Sequence, residues 1–396
     1  PYTVPSPKGV FQELYYWDTY FTCIGLLHSG KHRLALDNTR NLLSEVARFG
    51  YVPNGNRTYY LTRSQPPFLA PLVEAVAAAL PDVPLREEAL PLLRREYAFW
   101  MEHRATPAGL ARHGHQADRA ALLAFAPEIA ALIGLPDDPG AWEAALPLLS
   151  HKMAECETGW DFNPRFENRC EDFCPVDLNS LLYLYERFFA DHGAPGEKAA
   201  FSRRAEERRE RLAKLCWDAA EGGFFDYDFR NERRSRVASA ANFHALWAGL
   251  ATAKQAAAIA ERIVPRLELP FGLASCARAE AEGPGAVRPQ WGWPNSWPCI
   301  QLLAYTGLHR YGHEEAALRI AEKYLAAVAR VFSGTGELWE KYNAVDGSTH
   351  TVNENGYIVA DRAEGGAPEG APSMMGWTAG VFLDALAFRR RITGRK

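Results

Sequence analysis

The sequence predicts an all-α fold in which helical hairpins close into a ring. Apolar residues recur at spacings of three, four and seven through most of the 396-residue chain, which is the spacing of one helix face. No long run alternates between apolar and polar residues, so an extended sheet is not expected. The connections are alternately short and long, as expected for paired helices that follow one another around a closed ring.

The helical spacing indicates about ten to twelve helices. In the stretch 34–49, for example, Leu36, Leu42, Leu43 and Val46 fall near one face. The predicted helices cover residues 34–49, 68–80, 85–103, 176–191, 199–217, 240–250, 254–264, 297–311, 314–332 and 375–389.

The long connections hold most of the distinctive residues. They are rich in Gly, Pro, Trp and Asn and cover 50–67, 159–175, 284–297 and 340–376. In a ring of hairpins the long loops meet at one mouth, and loops on a rigid scaffold commonly carry function. Because no break in composition divides the chain, we expect a single domain over residues 1–396; a helical bundle with a separate small domain is the alternative.

The composition excludes some partners. A hydrophobic share of 47% allows a large core, and the net charge of −4 offers no electrostatic footprint for nucleic acid or an anionic membrane. The longest apolar stretch, 120–135, contains Pro127 and Glu128 and is too short to span a bilayer. The 11 Trp residues fit either a large core or aromatic platforms for sugars.

The seven cysteines are an odd number and do not predict a disulfide framework. Cys170 and Cys174 lie one helical turn apart, but no second pair or nearby histidine completes a zinc set, and His113 and His115 stand alone in a loop, where contact with solvent or substrate is expected. We expect free buried thiols, no metal, no cofactor and a cytoplasmic location. Because the chain opens at Pro1, a periplasmic or secreted location after removal of a leader stays open, as does the oligomeric state.

Two segments near the start combine aromatic rings with hydrogen-bonding groups. In 11–21, Trp17 and Asp18 suit a sugar platform beside a hydroxyl acceptor; the alternative is the buried start of a helix with a satisfied Asp. In 50–67, Asn, Arg and Gln side chains supply forked donors and acceptors that a loop can aim inward. The alternative there is a rigid, turn-rich surface loop.

Two carboxylates stand beside tryptophan. Asp161 lies between Trp160 and Phe162, where desolvation would raise the pKa of the carboxyl and suit a general acid. Glu340 is followed by Lys341, whose charge would help a general base to stay ionised. A Glu–Lys pair on a helix surface is the alternative for Glu340.

Taken together, these segments resemble the trehalase family of glycoside hydrolases. The family's first signature ends in Phe, one residue, Glu, one residue, Tyr, one residue, Trp-Asp, one residue, Tyr, as residues 11–20 do. The second, Gln-Trp-Asp followed by Pro-Asn-Gly-Trp, is similar to residues 290–297. Further matches follow in the family's order at 53–67, 159–162, 175–179, 340–342 and 376–378.

The resemblance implies an (α/α)6 toroid and metal-free, inverting hydrolysis of a small carbohydrate, first of all α,α-trehalose to two glucose molecules. By position in the motifs, Asp161 falls on the general acid, Glu340 on the general base and Glu369 on a further motif Glu. Inverting enzymes hold their two carboxyls about 6.5–9.5 Å apart. The implied sugar contacts are Phe11, Trp17, Asp18, Asn54, Arg63, Ser64, Gln65, Gly159 and Gln290.

The chain departs from the family pattern at four places. Val10 and Gly292 stand where the two signatures have Arg and Asp. The family's Arg-x-Glu pair has no match, since the nearest stretch, 110–115, lacks Glu, and residues 349–372 replace the Gly-rich lid loop. We therefore expect less efficient cleavage of trehalose than in a member with every motif.

Two alternatives remain open. The same chemistry could act on glucosylglycerate or mannosylglycerate, with Arg112, Arg165 or Arg169 binding the glycerate carboxylate. A sugar-binding protein without turnover is the third hypothesis, against which the retained Asp161 and Glu340 argue.

Overall fold

The computed structural model describes residues 1–7, 11–131, 133–278, 289–351, 373 and 375–394, and the regular structure there is mostly helical, as predicted. The helices are α1 (Tyr16–His28), α2 (His32–Phe49), α3 (Leu69–Ala79), α4 (Leu85–His103), α5 (Arg119–Ile129), α6 (Pro139–Ala144), α7 (Leu146–Glu157), α8 (Val176–His192), α9 (Pro195–Leu215), α10 (Asn242–Trp247), α11 (Ala253–Ala258), α12 (Val264–Leu267), α13 (Pro298–Arg310), α14 (Glu314–Thr335) and α15 (Gly376–Thr393). One π-helical turn, Ile259–Ile263, joins α11 to α12, and 3-10 turns occur at Thr58–Thr62 and Cys170–Asp172.

Helices α1, α3, α8, α10, α13 and α15 form a closed inner ring in the described part of the chain. Each packs against the next, and α15 packs against α1. Helices α2, α4, α9 and α14 lie outside them, each against one or two inner helices. This is the (α/α)6 arrangement, so the predicted toroid is confirmed.

The two layers differ in sequence because they differ in burial. Helix α13 is buried along almost its whole length, from Pro298 to Leu308, and has few charged side chains. Helix α14 buries one apolar stripe, including Ile320, Tyr324 and Val328, and turns its charges outward.

Nine two-residue strands join the loops of the described chain in antiparallel pairs. The strands are β1 (Phe173–Cys174), β2 (Trp217–Asp218), β3 (Gly223–Phe224), β4 (Tyr227–Asp228), β5 (Arg233–Arg234), β6 (Glu268–Leu269), β7 (Gly272–Leu273), β8 (Asn295–Ser296) and β9 (Tyr342–Asn343). They pair in the orders β1-β4-β5, β2-β3, β6-β7 and β8-β9. The last pair matters for function, because Ser296 opposite Tyr342 brings the segment 290–297 beside Glu340.

Helices α5 to α7 pack on one another in a separate apolar cluster that includes Leu122, Ile129 and Leu149. The seven cysteines are buried and none forms a disulfide, which confirms the expected free thiols. In the described residues, no helix combines the length and the apolar character that a membrane span requires.

Helices α1 and α15 close the ring through glycines. A Cβ atom built on Gly25 would lie 2.3 Å from the Cα of Gly380, and one built on Gly380 would lie 2.1 Å from the carbonyl oxygen of Phe21. Both distances end on backbone atoms, which cannot move aside as a side chain can. Any larger residue must therefore push the two helices apart.

We expect Gly380→Ala to lower the free energy of unfolding by at least about 1–3 kcal/mol, the usual cost of overpacking a well-filled interior. Gly334→Ala is the matched control, since a Cβ at Gly334 of α14 meets no atom within 4 Å and alanine favours the helix by about 0.5–1 kcal/mol. Urea unfolding of both variants measures the difference. Equal midpoints for the two variants would contradict the close approach.

Candidate active site

One pocket lies where three inner helices, α1, α13 and α15, begin. Trp17, Trp297 and Trp377, at or beside the first residues of these helices, form part of its wall. Asp161 and Glu340 lie in the same wall, and the empty space is about 630 Å³ when counted out to the open mouth. The loops between the hairpins thus meet at one end of the ring.

Most residues that the motifs singled out line this pocket. They are Phe11, Trp17, Asp18, Asn54, Arg63, Gln65, Gly159, Asp161, Gln290 and Glu340. Ser64 is not among the lining residues, and its buried hydroxyl donates to the carbonyl of Val52 at 2.6 Å. This corrects the expected sugar contact of Ser64, because the hydroxyl already has a backbone partner. Glu369 and Val10 lie outside the described residues.

The pocket also has lining residues that the sequence did not mark as sugar contacts. They are Tyr15, Tyr60, Trp291, Trp297, Met375 and Trp377. The three tryptophans belong to the motifs at 290–297 and 376–378, so the signal was present there. Nothing in the chemistry of Met375 distinguishes it from a core residue.

Tryptophan rings form a continuous platform at the pocket. Trp291 stacks on Trp297 with ring centroids 3.8 Å apart and an angle of 3° between the planes, and Trp160 stacks on Trp291 with centroids 5.1 Å apart. Trp377 meets Trp297 edge to face at 5.7 Å. Such rings offer large, rigid apolar faces with few rotatable bonds.

Gln65 and Gly159 hold the start of α1 in place. The Gln65 Oε1 atom accepts from the backbone N–H groups of Tyr16 and Trp17 at 3.1 and 3.3 Å, which have no partner within the helix. Gly159 has φ of 70°, and a Cβ there would lie 2.8 Å from the Trp17 ring. Only glycine allows the loop to pass this close to Trp17.

Two of the pocket carboxyls have raised pKa values. Asp161 lines the pocket and is otherwise enclosed by protein. This burial is the main cause that raises the pKa of its carboxyl to about 7. Burial also raises the pKa of Asp18 to about 7, with smaller contributions from the charges of Glu340 and Asp161. Near neutral pH these two groups are therefore divided between protonated and ionised forms.

Glu340 is held in a buried ion pair. Its Oε2 atom lies 2.7 Å from the Nζ atom of Lys341, which in turn lies 4.5 Å from the centroid of the Trp297 ring. The Glu340 side chain is 8% exposed, so the alternative of a helix-surface pair is wrong. The indole N–H of Trp377 donates to the Glu340 carbonyl at 3.1 Å and fixes the backbone there.

Arg165 anchors the loop that carries Asp161. Its guanidinium is fully buried and makes two hydrogen bonds to each of Asp177 and Asp226, at 2.8–2.9 Å. It also lies 4.5 Å from the centroid of the Trp160 ring. Burial alone would raise the pKa of Asp177, but the charge of Arg165 outweighs it and holds that pKa well below its ordinary value.

A second buried carboxylate, Glu157, organises the layer behind the pocket. It accepts from the backbone N–H groups of Ser64 and Gly114 and from two guanidinium nitrogens of Arg104, at 2.7–3.0 Å. The Nδ1 atom of His113 lies 3.4 Å from Glu157. Burial is opposed by Arg104, which holds the pKa of Glu157 well below its usual range.

Neither histidine of the 110–115 segment lines the pocket; His115 is partly exposed to solvent, whereas buried His113 contradicts the expected contact with solvent or substrate. His113 is buried against Glu157, and the Nε2 atom of His115 lies 2.8 Å from the Ser150 hydroxyl. Both histidines therefore belong to the scaffold. No group of three or more His, Cys, Asp or Glu side chains that could hold a metal ion occurs among the described residues.

The arginines expected to bind a glycerate carboxylate also lie elsewhere. Arg112 pairs with Glu171 at 2.8 Å, Arg169 pairs with Asp228 at 2.6 Å, and Arg165 is enclosed as described. None of the three lines the pocket. This corrects the prediction, because each guanidinium is already paired with protein carboxylates.

Comparison with known proteins gives the family. The family model described as Trehalase matches residues 1–124 and 148–389. The chain belongs to the trehalase family. It is 35% identical to the periplasmic trehalase of Pseudomonas aeruginosa, over 98% of this chain and 70% of that protein, and 35% identical to the periplasmic trehalase of Xanthomonas campestris pv. campestris strain B100, over 97% and 67%.

Solved structures agree with the trehalase-family fold. Neutral trehalase from Saccharomyces cerevisiae superposes with a TM-score of 0.79 at 30% identity, covering 98% of this chain and 74% of that chain. A mannosylglycerate hydrolase from Thermus thermophilus superposes with a TM-score of 0.64 at 18% identity, covering 96% and 95%, and this likeness concerns the fold alone.

The family match is interrupted between residues 124 and 148. The unmatched residues 125–147 include α6 and most of the loop before it. They belong to the α5–α7 cluster, which packs outside the ring.

We expect Arg165→Met to lower the free energy of unfolding by about 3–5 kcal/mol, because it leaves two buried carboxylates without a partner. Arg40→Met, which breaks the half-exposed pair with Glu88, should cost less than about 1 kcal/mol. Urea unfolding at several pH values tests this. Because the pKa of Asp177 is depressed in the fold, its stabilisation is present above about pH 4 and is lost as the pH falls. A difference that stays constant down to pH 2 would contradict the ion-pair explanation.

Proposed function

We propose that this protein hydrolyses α,α-trehalose to two glucose molecules with inversion at one anomeric carbon. The observation that carries the proposal is the meeting of Asp161 and Glu340 in one pocket walled by tryptophan rings. The names of the trehalase relatives support the choice of substrate.

In this proposal Asp161 is the general acid and donates a proton to the glycosidic oxygen. A pKa of about 7 supports this role, because an acid that keeps its proton near neutral pH can give it to the leaving group. Glu340 is the general base that takes a proton from the attacking water, and its ion pair with Lys341 provides a counter-charge. The water attacks as the leaving glucose departs, so the reaction is a single displacement.

The remaining pocket residues would bind the sugar. Asp18 and Gln290 offer hydrogen-bonding groups for hydroxyls, and the tryptophan platform offers apolar faces for the ring C–H groups. Phe11, Asn54, Arg63, Gln65 and Gly159 complete the set of proposed contacts, and the reaction requires no metal or cofactor.

A glycerate glucoside or mannoside is a second candidate substrate, favoured by one observation. Within the described residues, Arg63 has no ion pair, its Nε atom has no hydrogen-bond partner, and it lines the pocket. A glycerate carboxylate would provide that partner. The third hypothesis, a sugar-binding protein without turnover, is opposed by the presence of both carboxyls.

We infer a periplasmic location from the bacterial relatives, which are named periplasmic trehalases. The expected cytoplasmic location has no such support. A single catalytic domain over residues 1–396 remains our proposal for the domain organisation.

The substrate is tested with trehalose, glucosylglycerate and mannosylglycerate, comparing kcat/KM for released hexose. We expect trehalose to have the highest value. Proton NMR in the first minutes should show equal amounts of β- and α-glucose from trehalose, because inversion affects only the glucose that the water attacks. Initial formation of α-glucose alone would exclude inversion. Sugar binding without release of hexose would favour the third hypothesis.

Asp161→Asn and Glu340→Gln should each lower kcat by at least about 10²–10⁴-fold, the usual contribution of a general acid or base. Glu88→Gln, at the half-exposed pair with Arg40, is the control and should retain full activity. Thermal unfolding of all three variants checks that the fold is kept. A folded Asp161 or Glu340 variant with more than about a hundredth of the wild-type rate would contradict the assigned role.

A further inference from the structure

The turn that carries Asp161 has a backbone conformation that its sequence does not favour. Phe162 has φ of 57°, in the left-handed region that residues other than glycine rarely adopt. Such a conformation persists only where the surrounding structure holds it. The contacts of this turn therefore help to aim Asp161 into the pocket.

Glu155, near the end of α7, holds the turn at Asn163, whose side chain closes the turn onto Trp160. Its Oε1 atom accepts from the backbone N–H of Asn163 at 2.6 Å and from the Asn163 side-chain amide at 3.0 Å. The same amide nitrogen donates to the carbonyl of Trp160 at 2.7 Å. The turn from 160 to 163 is thus tied to α7 through one carboxylate.

Lys152 holds Glu155 in turn. Its Nζ atom donates to the Oε2 atom of Glu155 at 2.7 Å and lies 5.6 Å from the centroid of the Phe162 ring. Lys152 and Glu155 are 4% and 1% exposed. A buried ion pair is weak evidence for stability, since apolar residues of similar volume often stabilise a fold as well. A pair in this place is better explained by what it does to the turn and to Asp161.

Four charged or titratable groups act on Asp161: Arg63, Glu155, Glu340 and Asp18. Burial has the largest effect and raises the pKa of Asp161, Arg63 opposes it, and Glu155 raises the pKa more than Glu340 does.

The surroundings of Glu155 itself contain Lys152 and the buried thiol of Cys170, whose pKa Glu155 helps to raise.

We propose that Glu155, held by Lys152, is a positioning residue for Asp161: it fixes the turn that carries this carboxyl and acts on it through its negative charge. The general-acid role of Asp161 rests on the proposed function. The effect of Glu155 on Asp161 does not, because it is a property of the free protein. Glu155 touches neither substrate nor the reacting atoms.

Two variants of the pair separate charge from packing. Glu155→Gln removes the negative charge and keeps an oxygen to accept from Asn163. The double variant Lys152→Met with Glu155→Gln also removes the buried cation. In this variant the new amide at position 155 does not face the Lys152 ammonium, which would otherwise lack its counter-charge. Lys152→Met alone removes the cation and leaves the Glu155 carboxyl in place. Glu186→Gln is the matched control, because Glu186 forms a buried pair with Arg208 at 2.7 Å and does not line the pocket.

The titration of Asp161 is followed by NMR in protein labelled with ¹³C at the aspartate carboxyls, the Asp161 signal being identified by its loss in Asp161→Asn. We expect the midpoint to fall by about one pH unit in Glu155→Gln and in the double variant. It should not fall in Lys152→Met or Glu186→Gln. A midpoint that stays unchanged in both Glu155 variants overturns the inference, as does an equal fall in all four.

Activity profiles then test the link to catalysis. A general acid must be protonated, so kcat/KM for trehalose should fall above the pKa of Asp161, and this alkaline limb should move to lower pH by the same amount in both Glu155 variants. A purely structural role would lower kcat and leave the limb in place, which overturns the charge effect. If the NMR midpoint shifts while the wild-type protein hydrolyses none of the glycosides, the proposed function fails and the coupling of Glu155 to Asp161 stands.

Discussion

The ring of inner helices closes through a contact of backbone on backbone between α1 and α15, at Gly25 and Gly380. This closure sets the place of the pocket, because α1 and α15 both begin at it, as does α13. Backbone N–H groups at a helix start lack partners within the helix and carry partial positive charge. Helix starts that converge on one mouth therefore suit a pocket lined with carboxylates and filled by a ligand rich in hydroxyl groups. Gln65 satisfies two of these N–H groups and so adds the loop before α3 to the same wall.

Behind the pocket wall, buried charged side chains fix the conformation of the loops through hydrogen bonds, in addition to apolar packing. Arg165 and Glu157 each bind groups from segments distant in sequence, and Glu155 ties the end of α7 to Asn163, eight residues further along the chain. Each is nearly or fully enclosed, so that each charge needs its partners in place. This gives the segment from 155 to 165 one strongly preferred arrangement.

The sequence predicts most of the ring and most of the pocket, and its errors have physical causes. The spacing of apolar residues identifies the outer helices well, since they are amphipathic, but α1 has apolar residues on every side and was expected only as one interpretation of an aromatic motif. The motifs correctly mark Asp161, Glu340 and their neighbours as one site, because the loops that carry these motifs meet at the pocket when the ring closes. The structure differs from the expected contacts of Ser64 and His113, because a polar side chain in a loop motif can bind the protein's own groups as well as a sugar. Arg165 differs from its expected role as a carboxylate ligand for the same reason, since Asp177 and Asp226 become its neighbours only in the folded chain.

The charges of the pocket also bear on the choice of substrate. Asp18 and Asp161 share the wall with Glu340, and Lys341 is already paired with Glu340. Ionising both Asp18 and Asp161 would therefore leave excess negative charge in a poorly hydrated space. Burial is the main reason that their pKa values lie near 7, and the charge of Glu340 adds to it. A neutral disaccharide leaves that balance unchanged and removes water, which favours the protonated acid further. A glycerate substrate would add a negative charge, and Arg63 would have to compensate it while continuing to oppose the raised pKa of Asp161. The electrostatics of the pocket thus favour an uncharged sugar, which is consistent with trehalose as the first substrate to test.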